Sequence, residues 1–306
     1  MNESEQTDVW TGEPGPVVED GAAFETLLTG FEFLEGPSWH REQGFLVFSD
    51  IIGNRQYTWS PSKGKRIFRS PSNMANGTTW DRKGRLLVCE HATSRVVRLH
   101  PGGKEELLAS HFEGKELNSP NDIVEKSNGW IYFTDPNSGR TSPWGVPREQ
   151  QLDFQGVYRF EPRSGKLVLL ADDFSKPNGL CFSRDESRLF VNDTDQQHIR
   201  VFDVKEDGSL QGGALWASTD GARPGVADGM KFDAQGNLYS SGSGGIHVFS
   251  PDGNRLGIIR TPQVAANFNW GGKDMRDLFV TATHTLYRLR MTIPGLVPLG
   301  YGPAPV

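Results

Sequence analysis

The sequence predicts an all-β fold: a six-bladed β-propeller of four-stranded antiparallel blades, its ring closed by an N-terminal strand. Three observations lead there. A phrase made of an oxygen-bearing residue, a polar turn and an apolar β-rich strand recurs six times along 306 residues. The recurring strands begin at Phe45, Arg85, Trp130, Arg188, Asn237 and Asp277, at intervals of 40 to 58 residues. A period of about 40–50 residues with three or four strands per repeat is that of a propeller blade. Helix-period segments are missing, while 36 glycines and 19 prolines supply frequent turns.

The elements follow in chain order. Before the first copy stands a strand-like run, FETLLTG (Phe24 to Gly30). The six copies then open with LEGPSW, ANGTTW, SPNDIV, KPNGLCF, VADGMKF and AANFNW, each beginning an inner strand, A. Polar turns follow: HREQG, DRKG, EKSNG, SRDES, DAQG and GGKDM. Strand B comes next as FLVFSD, RLLVCEH, WIYFTDP, RLFVNDT, NLYSSGS and DLFVTAT, and strand C as RQYTWS, RVVRLH, GVYRFE, HIRVFD, GIHVFS and TLYRLR. The sixth copy runs out near Arg290 without a fourth strand, so the FETLLTG run is expected to fill the outer place of the last blade and remove its free edge. Residues 1–16 are expected to form a tail and 17–306 a single propeller domain. The Pro/Gly-rich ends, Thr11 to Val17 and Gly300 to Val306, are expected to be loosely ordered.

Composition excludes several function classes. A net charge of −6 gives no basic surface for nucleic acid. The start, MNESEQTDVWTGEPG, has neither a basic n-region nor an apolar h-region, and no run approaches the roughly 18 apolar residues of a membrane span. The expectation is a cytoplasmic protein without a membrane or nucleic-acid partner, its oligomeric state left open. The two cysteines, Cys89 and Cys181, lie in apolar strand patterns and are expected as buried free thiols.

One slot carries the chemistry. It holds Glu35, Asn76, Asn121, Asn178, Asp228 and, shifted by about one residue, Asn267. Inner strands converge on the propeller axis, so the slot gathers carboxylate and amide oxygens around one point. Such a set suits one divalent cation, with Ca2+ first and Mg2+, Mn2+ or Zn2+ as the other candidates; the absence of Cys and His from the slot argues against zinc. Asn-Gly and Asp-Gly also make tight turns, so Asn76-Gly77, Asn178-Gly179 and Asp228-Gly229 have a plain structural alternative. Glu35-Gly36 and Asn121-Asp122 do not fit that alternative. Strand direction puts the B-strand ends and B–C loops on the slot's face. These ends carry Asp50, Glu90, His91, Asp135, Asp193 to Asp195, Ser243 and His284. The longest B–C loop, 137–155, contains Trp144 and is a candidate lid or specificity wall. Asp50, Asp135 and Asp193 are expected to bond loop amides, and Trp39, Trp80, Phe182 and Phe232 to be core between blades.

The ordered set EGPSW, SPND, KPNGL and ADGM resembles the family of senescence marker protein (regucalcin), gluconolactonase and luciferin-regenerating enzyme, from about Phe31 to Arg290. The stretch VCEHATSRVVR is similar to bacterial gluconolactonases in particular. The resemblance implies a six-bladed propeller with a divalent cation in its channel. It implies Glu35, Asn178 and Asp228 as direct ligands, and Asn121 as a residue that meets both metal and substrate. There is one departure: regucalcin has arginine two residues before its matching asparagine, where this chain has Ser119.

The expected reaction is metal-assisted opening of a sugar lactone such as glucono-1,5-lactone to the aldonic acid. Asp228 is the first choice of general base and Glu35 the second. Asn76, His91 and Asp122 join Asn121 as candidate substrate-site residues, Asp122 by orienting its neighbours. Two alternatives stand beside this: an organophosphate or aryl esterase on the same site, and a non-catalytic binding scaffold with a structural ion.

Overall fold

The computed structural model describes residues 9–12 and 17–299. Among them are six four-stranded antiparallel sheets and one short ribbon, His111–Phe112 against Lys115–Glu116. The first blade runs Leu34–His40, Phe45–Asp50, Arg55–Ser60, Gly64–Arg69. The other A strands are Ala75–Trp80, Ile123–Glu125, Pro177–Phe182, Met230–Phe232 and Ala265–Gly271. The A strand of blade 1 touches those of blades 2 and 6, which closes the ring.

Burial grades outward from the axis. Strand A of blade 1 is buried throughout, and strand D is exposed except at its last residue. Strands B are covered on both faces by neighbouring blades. This explains why FLVF, LLVC and IYF are continuous apolar runs rather than alternating ones. The core is accordingly a set of layers between blades. In one of them Trp39 of blade 1 stacks on Phe279 of blade 6, ring centroids 5.3 Å apart.

The expected closing strand is present. Glu25–Thr29 pairs with Thr285–Arg290 and is the outermost strand of the last blade. The N-terminal segment departs from the expected loose tail. Arg260 N donates to Val9 O at 2.7 Å and Thr11 N to Ile258 O at 3.2 Å, so residues 9–12 lie along the outer strand of blade 5. Val17 and Val18 are buried in the apolar layer of blades 5 and 6. The Gly300–Val306 end lies outside the described residues. No helix of the described residues is long and apolar enough to cross a membrane.

Candidate functional site

The slot sits where strand A is irregular. The A–B register slips between Glu35 and Ser38, Ala75 and Thr78, Pro177 and Leu180, and Ala265 and Asn267. A bulge re-aims a side chain that regular pleating would place between blades. The residue after the slot explains the recurring glycine. A Cβ on Gly77 would meet Asn121 O at 2.3 Å, and one on Gly179 would meet Asp228 O at 2.1 Å. Both glycines lie within strands, not turns. They are small because the next blade's slot backbone passes against them, and turn chemistry is not their reason.

A second repeat supports the first, and sequence reading missed it. In four blades the penultimate residue of strand B donates to the backbone at the slot of the next blade. Ser49 Oγ bonds Asn76 O (2.9 Å), Thr134 Oγ1 bonds Asn178 O (2.7 Å), Asn192 Nδ2 bonds Asp228 O (2.5 Å) and Ser241 Oγ bonds Ala266 O (2.9 Å). Its signal was a small polar residue at one place in otherwise apolar strands. The pairings Leu34 with Asp50, Ala75 with Glu90 and Pro177 with Asp193 put the B-strand ends beside the slot, as expected. Asp50 and Asp193 accept from the amides of Phe33 (2.9 Å) and Ser175 (2.7 Å), and Asp135 from that of Asn118 (2.8 Å).

Two carboxyls meet at the centre. Glu35 and Asp228 hydrogen-bond each other, and Asn178 bonds Asp228. Glu35 Oε2 accepts from Gly36 N at 2.7 Å and from Asn267 Nδ2 at 3.1 Å. Asn267, out of register in the sequence, thus holds a slot carboxylate. Burial pushes Glu35 up to about 7; Asp122 pushes the same way. Burial, then the Glu35 and Asp122 charges, raise Asp228 well above the usual carboxylate range. A shared proton lets these two groups stay together. Asn178 also donates to Thr194 Oγ1 at 3.0 Å. Asn121 is buried, its backbone N–H donating to Thr134 O at 2.8 Å and its backbone carbonyl accepting from Gly77 N at 2.8 Å.

Asn76 and His91 form one unit. The Nδ1–H of His91 donates to Trp144 O at 2.8 Å, leaving Nε2 to accept from Asn76 Nδ2 at 3.0 Å. Burial holds His91 down at about 4, so the ring is neutral. Both ring nitrogens are engaged, and His91 bears on the channel through Asn76. Asp122 Oδ1 caps Ile123 N at 2.8 Å, while its Oδ2 lies 3.7 Å from Lys231 Nζ.

The long B–C loop is a fastened wall. Arg148 donates to His91 O at 2.9 Å and Arg140 to Leu117 O at 2.6 Å. Trp144 meets Phe33 of blade 1 edge to face at 4.4 Å. Ser119 Oγ donates to Pro136 O and accepts from Gly139 N at 2.8 Å, so the residue that departs from the regucalcin pattern anchors this loop. Trp39, Trp80, Phe182 and Phe232 do pack between blades, and they also line a cavity of about 360 Å³ among the A–B turns of the opposite face. Cys89 and Cys181 are buried free thiols, both raised by burial.

The donor set fits a hard dication. Two paired carboxyls carry the amides of Asn178 and Asn267 on them, and the buried Asn76 Oδ1 and Asp122 Oδ2 lack hydrogen-bond partners. The carboxylates number too few to form a cluster of three His, Cys, Asp or Glu ligands among the described residues, so the amides are needed to complete it.

Residues 33–284 match the family model described as the SMP-30/Gluconolactonase/LRE-like region. The gluconolactonase of Zymomonas mobilis is 31% identical over 297 residues, covering 90% of this chain and 83% of that protein. The diisopropyl-fluorophosphatase of Loligo vulgaris is 28% identical over 184 residues, covering 58% of each. The solved structure of a gluconolactonase from Xanthomonas campestris superposes with a TM-score of 0.83 at 33% identity, covering 92% of this chain and 99% of that one. By the extent of that model match, and by its likeness to the Zymomonas mobilis enzyme, this chain is a member of the SMP-30/gluconolactonase/LRE-like family.

Proposed function

We propose that the protein hydrolyses a sugar lactone, glucono-1,5-lactone or a close aldonolactone, to the aldonic acid, assisted by one divalent cation. The observation that carries this is the pairing of the Glu35 and Asp228 carboxyls, Glu35 buried, with the slot amide Asn178 bonded to Asp228. Glu35, Asn178, Asp228 and Asn121 would hold the cation, with Ca2+ matching a mixed carboxylate–amide set best. When bound, it supplies positive charge that polarises the lactone carbonyl and stabilises the developing oxyanion.

The chain's own residues do the rest. Asp228 is less buried than Glu35 and is the general base: it takes a proton from the attacking water and returns it to the ring oxygen as the acyl C–O bond breaks. Glu35, fixed by Gly36 N and Asn267, positions that base. Asn121 and Asn76 orient the lactone, Asn76 being aimed by the neutral His91. Asp122 acts behind Asn121. The loop carrying Trp144 bounds the mouth and keeps bulk water from it.

The test is direct. Chelator-treated protein should lose glucono-1,5-lactone hydrolysis and regain it with calcium. Asp228→Asn should lower kcat by roughly 100-fold or more in a pH-stat assay. Activity that ignores the chelator, or near-normal Asp228→Asn turnover, removes this reading. The similarity to a diisopropyl-fluorophosphatase favours a second substrate class, organophosphate esters. Faster cleavage of such an ester than of any aldonolactone would put that reading first.

A further inference from the structure

The axial carboxyls have a cation of their own. Lys231 follows Asp228 by three residues on the blade 5 inner strand, Met230–Phe232. Lys231 lines the opposite-face cavity with Trp39, Phe182 and Phe232, and its ammonium reaches Asp122. There Nζ donates to Met230 O at 3.1 Å and stands 3.7 Å from Asp122 Oδ2. Asp122 is buried, and Oδ2 has no hydrogen-bond partner, so the ammonium is its compensation. The coupling extends further. Asp122 bears unfavourably on the ionised forms of both Glu35 and Asp228, and Lys231 favours that of Glu35.

Charge counting sharpens this. Glu35 and Asp228 together match a dication, and Asp122, next to Asn121 and close enough for its charge to act on both, is a third carboxylate beside them. A third carboxylate free to swing in would tighten cation binding and take a position that water and lactone need. We propose that Lys231 is the built-in counter-cation of this site: a positioning residue that pins Asp122 outside the ligand set and so holds dication affinity down. This rests on the reading that a dication binds on the axis.

The experiment is calorimetric titration of Ca2+ into metal-free protein, with circular dichroism to check folding. Lys231→Met keeps the stem and removes the charge; it should bind Ca2+ about fivefold or more tightly, because a like charge near the cation is gone. Lys231→Arg should stay within about twofold of wild type, and Lys231→Met combined with Asp122→Asn should return toward it. Should Lys231→Met not fold, Asp122→Asn alone decides: weaker binding supports the pairing, unchanged binding overturns it. Wild type that binds while Lys231→Met binds equally or more weakly overturns the role of Lys231 alone. Wild type that binds no Ca2+ overturns both it and the axial dication.

Discussion

At the residue scale the slot works because small and polar residues alternate along it. Gly36 is the sharpest case. Its φ is +51°, and a Cβ there would lie 2.1 Å from Asn76 O of the next blade. Gly36→Ala therefore combines a left-handed backbone cost of about 1–2 kcal/mol with overpacking of about 1–3 kcal/mol. Gly30 also has positive φ (+87°), yet nothing lies within 4 Å of its missing Cβ. Gly30→Ala should cost only the backbone part. Urea melts of the two variants check this, and equal losses would show that the close approach between blades costs nothing.

At the element scale, strand B and its loop set the site's shape. The strand supplies the hydroxyl or amide that fixes the next blade's slot. The B–C loop of blade 3 reaches past His91 of blade 2 to Phe33 beside blade 1. Arg148 is its main fastening near the site, reaching the carbonyls of His91, Val146 and Gly139 and the hydroxyl of Ser94. Arg148→Ala should loosen the loop and release the His91–Asn76 unit. The expected result is a kcat/KM loss on the order of tenfold, felt mostly in KM, with faster amide exchange over residues 136–154. A kcat loss at unchanged KM and exchange would mean that the loop is no substrate wall.

At the scale of the whole molecule, six blades concentrate buried acid at the axis. Glu35 and Asp135 are both pushed up to about 7 by burial, and Asp228 is raised as well. The folded state thus holds protons that the unfolded chain has released, and metal-free stability falls as pH rises through about 7. His91, held down at about 4, acts the other way, but only below the ordinary imidazole range of about 6.5. Between about pH 6.5 and 8 the carboxyls decide. The melting temperature in chelator should fall across that window, and saturating Ca2+ should flatten the fall by replacing the shared proton. A chelator profile that is flat or rises would contradict the buried carboxyl pair.

The blade count, the closing strand and the slot were legible in the sequence, since each depends on local pattern: short apolar β-rich runs, polar turns and one oxygen-bearing residue at a fixed place. Repetition marked six slot residues around an axis, and the family resemblance singled out Glu35, Asn121, Asn178 and Asp228 among them. Tertiary structure decided what repetition cannot encode. It showed that the slot glycines answer to a neighbouring backbone, that Asn267 serves Glu35 from 232 residues away, and that His91 is fixed by a loop from another blade. It brought Lys231, an ordinary strand lysine by pattern, to within 3.7 Å of Asp122. The physical reason is the same in each case. Propeller strands repeat along the chain, but their side chains converge across blades, and contacts across blades leave no period in the sequence.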